Sequence, residues 1–296
     1  MKPIKYLEPV LVFSLLVMTL FISSCSDKEQ EYTQLETCVN HYQAESYRVA
    51  EKECAIAAQQ GSSHAQWLMA NLYRYALTKE GADLEGAFKW YLQAAENGHV
   101  AAMREVGQAY MYEEGVEKDF EKAHLWLKKA AENRDTEAEF LVGVLFYEGW
   151  GRDKDIGSSI SWFKRAATND HSMSINNLAW VFSTSEVPAY YKPKRAKFWI
   201  DKLDKKLLDD SPGGSEESSQ EDPKSKAKTK SNGNSQNKSI FLDTKAAVMA
   251  ANKDFEQAVK FQNQAIAQLP SDTPEEQLVI YQQHLDNYLQ GKDWRE

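Results

Sequence analysis

The sequence predicts an all-α solenoid of stacked helix pairs closed by a C-terminal capping helix, and three regularities carry that expectation. Trp90, Trp126, Trp162 and Trp199 fall at steps of 36, 36 and 37 residues, a period typical of stacked supersecondary units. Small residues at Ala70, Gly107, Gly143 and Ala179 recur at a similar period, each followed three residues later by an aromatic, namely Tyr73, Tyr110, Phe146 and Phe182. Alanine pairs, Ala94-Ala95, Ala130-Ala131 and Ala166-Ala167, mark a second helix in each period. A small residue lets a neighbouring helix approach closely, and an aromatic at i+3 fills the space beside it on the same face. One such pair cannot bury its apolar stripe alone, so each uses the next as its cover.

At 296 residues and 42% apolar composition the chain has enough material for a sizeable core. Without residues 1–24, which hold Lys2, Lys5 and Glu8, there remain 33 basic and 43 acidic side chains, a net charge of about −10. Such a balance repels phosphate backbones, so no nucleic acid is expected as a partner. The one lysine cluster, Lys224, Lys226, Lys228 and Lys230, lies in a stretch with no large apolar residue and reads as a solvated charge run.

The first element, residues 1–24, reads as a secretory signal: Lys2 and Lys5 supply positive charge, and Val10 to Ile22 is an apolar run of thirteen. A membrane-spanning helix needs about 20 apolar residues, so this run is short for one. Ile22-Ser23-Ser24-Cys25 follows, then the polar stretch Ser26 to Gln30. This looks like the lipobox of bacterial lipoproteins, which implies diacylglycerol on the Cys25 thiol, cleavage before it and acylation of the new terminus. At about 0.8 kcal/mol per buried methylene, more than one acyl chain gives a stable anchor without spanning the bilayer. Ser26 rather than Asp follows the cysteine, which in the sorting rule of enteric-type bacteria favours the outer membrane, facing the periplasm, over the inner membrane. Residues 25–34 would be a tether. Cys38 and Cys54 should lie on adjacent antiparallel helices, where an oxidising compartment permits a bridge but two buried free thiols remain the alternative.

Residues 35–210 form the predicted solenoid, with a degenerate half repeat from Tyr47 to Gly61. The stretch from Gly98 through Gly115-Val116-Glu117-Lys118-Asp119 and Lys122-Ala123-His124-Leu125-Trp126-Leu127-Lys128-Lys129-Ala130-Ala131 resembles the Sel-one-like repeats, a slightly longer subclass of the tetratricopeptide (TPR) family. The fourth copy departs from the pattern, with Ser174 in place of the first-helix alanine and Val187-Pro188-Ala189-Tyr190-Tyr191 in place of the glycine turn. The resemblance implies a non-enzymatic, protein-binding module in which first helices line a concave face. It places there Trp67, Asn71 and Arg74, then Arg104, Gln108 and Met111, then Phe140 and Tyr147, then Asn176 and Trp180. Aromatics with arginines and amides suit an extended peptide or a partner helix.

Residues 211–239, rich in Ser, Gly, Lys, Glu, Asn and Pro, are expected to be a disordered insert. Residues 240–296 resume the fold, since Ala246, Phe255, Ala258, Ala265 and Pro270 have tetratricopeptide spacing. Thr273 is expected to cap a last helix, with Pro274 at its first position and Leu278, Tyr281, Leu285 and Tyr288 as its buried stripe.

The chain offers little for catalysis. His41, His64, His99, His124, His171 and His284 are scattered, with no close pair such as the two of H-E-x-x-H, and no phosphate-binding glycine loop or G-x-S-x-G motif occurs. No metal, cofactor or enzymatic activity is therefore expected. Cysteine-rich exported relatives of this repeat family are linked to peptidoglycan-fragment or β-lactam binding, and that is the alternative function, although this chain lacks their disulfide in every repeat.

Overall fold

Every regular element among the described residues is a helix. The structure, a computed structural model, describes residues 33–77, 81–209 and 223–295, with side chains left undescribed at 208–209 and 223–236. It divides into two compact units, one ending at Ala138 and the other starting at Glu139. Cys25 and the expected signal and tether up to residue 32 lie outside the described residues.

The first unit contains helix α1 over residues 33–43, then α2 (Tyr47–Gln59), α3 (Ser63–Arg74), α4 (Leu84–Glu96), α5 (Val100–Tyr112), α6 (Phe120–Glu132) and the start of α7 (Thr136–Glu148). From α2 to α6 each helix packs on the next. Gly107 shows why the repeat needs a small residue at this position: a Cβ there would stand 2.5 Å from Leu127 Cγ on the facing helix. Ala94, Ala95, Ala130 and Ala131 are buried, as close helix packing requires. Gly115 has φ of +72°, and a Cβ on it would collide with the Leu84 carbonyl, so the turn between α5 and α6 depends on glycine twice over.

From α3 to α7 each helix start is fixed by a side-chain cap. The Gly86 and Lys122 amides donate to Asp83 and Asp119 Oδ1 at 2.8 and 2.9 Å, which starts the second helices α4 and α6. The first helices are started by the residue after a left-handed turn position: Ser62 for α3, His99 for α5 and Asp135 for α7. Cys38 and Cys54 are joined in a disulfide that ties α1 to α2 inside the local core with Leu68 and Leu72.

The second unit contains the rest of α7, then α8 (Ile156–Thr168), α9 (Ser172–Thr184), α10 (Pro193–Asp209), α11 (Pro223–Ala251), α12 (Phe255–Ala267) and α13 (Glu275–Leu289). The same rules operate: a Cβ on Gly143 would lie 2.6 Å from the Phe163 ring, Asp155 caps α8, His171 caps α9, and Asp254 caps α12. Helix α11 packs on α9, α10, α12 and α13.

Several expectations need correcting. Helix α11 begins at Pro223, inside the stretch assigned to a disordered insert, while residues 210–222 lie outside the described residues. Composition had revealed the missing apolar stripe, but Ala, Lys, Gln and Ser after a proline start are compatible with helical backbone. Ser239 is buried, with its hydroxyl 3.4 Å from that of Tyr281. Pro274 occupies the N-cap of α13, and the Thr273 hydroxyl donates instead to the Pro270 carbonyl at 2.7 Å. Leu278 is 42% exposed, and His284 joins Tyr281, Leu285 and Tyr288 in the buried stripe. Trp126, Trp162 and Trp199 are half-buried, each with a cation three residues on: Lys129 at 4.0 Å, Arg165 at 4.3 Å and Lys202 at 5.9 Å from the ring.

With 16 residues of sequence separation, the bridge restrains the unfolded chain enough to stabilise the first unit by about 3 kcal/mol. Intact-mass analysis of folded, alkylated protein without reductant should therefore show neither cysteine modified. Reduction should lower the urea midpoint of the N-terminal unit. Two alkylated thiols in folded protein would contradict the pairing.

Candidate functional site

The residues assigned to the binding face fall in both units and have different surroundings. In the first, Asn71 is 3% exposed and accepts the Tyr91 hydroxyl at 2.6 Å, so it is a structural hydrogen bond rather than a contact surface. Met111 is buried in the same way, while Gln108 is half-buried. Arg74 and Arg104 retain 23% and 22% side-chain exposure, but their charges are matched within the unit. Arg74 reaches Glu105 at 3.3 Å and Glu114 at 2.7 Å, and Arg104 reaches Glu105 at 3.3 Å and Asp135 at 3.2 Å. Burial pushes the Glu105 carboxyl above its ordinary value, against the pull of Arg104 and Arg74. Arg74 and Arg104, placed on the concave face by the repeat resemblance, therefore find carboxylates within the fold, mostly from the next repeat.

Trp67 sits differently. It is half-buried against the α2–α3 core, and its ring stacks on His99 at 5.2 Å and on His64 at 5.5 Å between centroids. His64 Nδ1 and His99 Nε2 are 3.3 Å apart, so two of the scattered histidines do meet. His99 Nδ1 also accepts the Ala102 amide as the cap of α5. That bond leaves the proton on Nε2 of neutral His99, from which it is donated to His64 Nδ1. Burial, reinforced by the neighbouring His64, depresses His99 to about 4, and burial lowers His64.

In the second unit, Tyr147 and Asn176 come together at a cleft of about 280 Å³, whose walls also include Trp180, Glu148, Asp243 and Tyr281. Asn176 is 2% exposed, and its Oδ1 has no hydrogen-bond partner. Asp243 Oδ1 is held at 2.8 Å by His284 Nδ1, and the Trp180 ring lies 5.7 Å from that imidazole. Phe140 is half-buried and packs on Phe163 and His171. Among the described residues no group of three or more His, Cys, Asp and Glu is placed to hold a metal ion, and no helix is long and apolar enough to cross a membrane.

The family profile for the Sel1 repeat matches residues 63–99, 100–135 and 136–171. Residues 63–171 thus match three Sel1 repeats in succession. Each match starts with the first residue of a first helix and ends on the cap of the next: His99, Asp135 or His171. A Sel1 repeat protein from Oxalobacter formigenes is similar in structure at 22% identity, with a TM-score of 0.55 over 83% of this chain and 96% of that one. A protective antigen present in uropathogenic Escherichia coli strains, displaying an SLR fold, is similar at 20% identity and a TM-score of 0.53, over 83% of this chain and 53% of the antigen. These likenesses concern the fold. A search of curated proteins finds no match.

Sequence reasoning missed the histidine pair and the acidic partners of the arginines. A signal for the first was present, since His99 and His171 each follow a turn position of the Sel1 repeat and so stand where a cap is needed.

A histidine held neutral by folding stabilises the chain fully above its ordinary pKa of 6.5, and that contribution is lost as pH falls towards about 4. Urea midpoints should accordingly fall between pH 6.5 and 4. His99→Asn keeps a capping oxygen but does not titrate, so its pH slope in this window should be shallower. An unchanged slope in the variant would show that His99 does not couple to folding.

Proposed function

We propose that this Sel1-repeat chain is a non-enzymatic, lipid-anchored scaffold that holds another protein at the bacterial envelope. The observation that carries the protein-binding part is the half-exposed stack of His64, Trp67 and His99 on first-helix positions. A flat aromatic packed against two other rings is pre-ordered, so a partner that covers it gains apolar burial without ordering a loose side chain. Tryptophan is also the side chain most often found as an energetic anchor in interfaces. Supporting the location are the Ile22-Ser23-Ser24-Cys25 sequence and the Cys38–Cys54 disulfide, a bond that persists in oxidising compartments such as the periplasm. On this reading Cys25 carries the lipid, and the outer membrane, facing the periplasm, is the site of attachment.

The anchor is tested by metabolic labelling with a fatty-acid probe. Cys25→Ala should abolish both labelling and fractionation with membranes, and a variant that still takes up the probe would remove the lipoprotein reading.

The scaffold is tested by crosslinking envelopes and recovering the tagged protein with its neighbours. Trp67→Leu keeps apolar contact with the core but removes the flat ring, and it should cut recovery of a specific protein at least tenfold. Loss of a central anchor typically costs about 2 kcal/mol or more, which corresponds to roughly thirtyfold in affinity. If Trp67→Leu melts close to wild type and recovers the same protein undiminished, this face is not the contact.

A further inference from the structure

We infer that the cleft of the second unit receives an arginine side chain from a partner polypeptide; the inference rests on the protein-binding reading above and names the chemistry that such a partner would present. The cleft, at about 280 Å³, falls just below the range of roughly 300–1,000 Å³ typical of ligand pockets, a size suited to one long side chain. Its polar groups ask for donors. Asn176 Oδ1 is buried and unpartnered, and a buried acceptor left unsatisfied is costly, so a donor brought by a ligand recovers free energy that folding left unclaimed. The Asp243 carboxylate is fixed in the wall by His284, and Glu148 stands exposed at the edge.

An amide oxygen and two carboxylates select against an anionic ligand and favour one with several N–H groups and no acceptor. Guanidinium has five donors and none to accept, in a planar fork that matches carboxylates. The walls agree, since Tyr147 and Trp180 offer aromatic faces on which a planar cation stacks. The Tyr147 ring already receives a cation from this chain, Lys154 Nζ at 4.9 Å from its centroid. The formal net charge of −9 adds long-range attraction for a basic segment. Lysine would bring a compact charge with three donors and no plane to stack, and is the weaker match.

The test uses the detergent-solubilised full chain labelled at its tryptophan indole nitrogens, with the Trp180 signal assigned from Trp180→Phe. The probe is the blocked tripeptide acetyl-Gly-Arg-Gly-amide, set against its lysine and citrulline counterparts and against a muramyl dipeptide. The arginine tripeptide should move the Trp180 signal, and the neutral citrulline isostere should bind at least tenfold more weakly. Asn176→Leu and Glu148→Gln should each weaken arginine binding about fivefold or more. Glu148 is exposed, so if Asn176→Leu fails to fold, Glu148→Gln decides. Equal response to citrulline, unchanged binding by the folded variants, or movement of Trp180 by the muramyl dipeptide alone would overturn the assignment. Recovery of a Trp67-dependent partner without any arginine response would overturn the cleft while leaving the scaffold; an arginine response with no such partner would do the reverse.

Discussion

Close approach of helices at residues without a side chain is the constraint on which each unit depends. Gly107 under Leu127 and Gly143 under Phe163 leave no room for even one carbon atom, and the alanine pairs of the second helices are buried around them. When backbones meet this closely, dispersion contacts are dense, and the glycine at position 143 makes room for the fully enclosed ring of Phe163. Trp126, Trp162 and Trp199 lie further out, half-buried, with a lysine or arginine on each ring. Tryptophan here shields the helix pair and presents a polar outer coat at the same time.

Short turns between closely packed helices then impose a second demand, because the first amides of every helix need acceptors. The repeat answers with a left-handed residue followed by a cap. Glycine fills the left-handed position at Gly61 and Gly98, but Arg134 and Asp170 fill it later at φ of +66° and +55°. A side chain there costs about 1–2 kcal/mol, a strain that the following cap and the packed helix behind it offset. The cap itself varies as Ser62, His99, Asp135 and His171, and this variation is where chemistry enters a structural position. At His99 the capping nitrogen leaves the other ring nitrogen facing His64, and Trp67 closes over both.

Much of this was legible in the sequence, for a physical reason: a repeat writes the same packing requirement several times, so Ala70, Gly107, Gly143 and Ala179 identify one structural position before any coordinate is known. Pairings between repeats were not legible. Arg74 finds Glu105 and Arg104 finds Asp135, each 31 residues away, and nothing in local periodicity assigns a partner at that distance. The same limit applied to His64 with His99, and to Asp243 with His284, whose contact crosses 41 residues. Helix α11 starts earlier than composition suggests because the absence of apolar residues speaks to burial and not to backbone, and its apolar end from Ile240 to Ala251 belongs to a helix packed on α9, α10 and α12.

Which face can bind is therefore decided by what folding leaves unmatched. Arg74 and Arg104 carry the most obvious charge, yet to engage a new carboxylate they would have to release Glu105, Glu114 or Asp135. Exchanging one desolvated ion pair for another gains little, and leaving Glu105 buried without either arginine would be strongly unfavourable. Their role is to hold successive first helices of the first unit in register. Trp67 and Asn176 have no such commitment: one keeps part of an apolar face in solvent, and the other keeps a buried oxygen without a donor. Each can gain a contact without surrendering one, so recognition in these two units is better sought at an aromatic stack and an orphan amide than at the arginines.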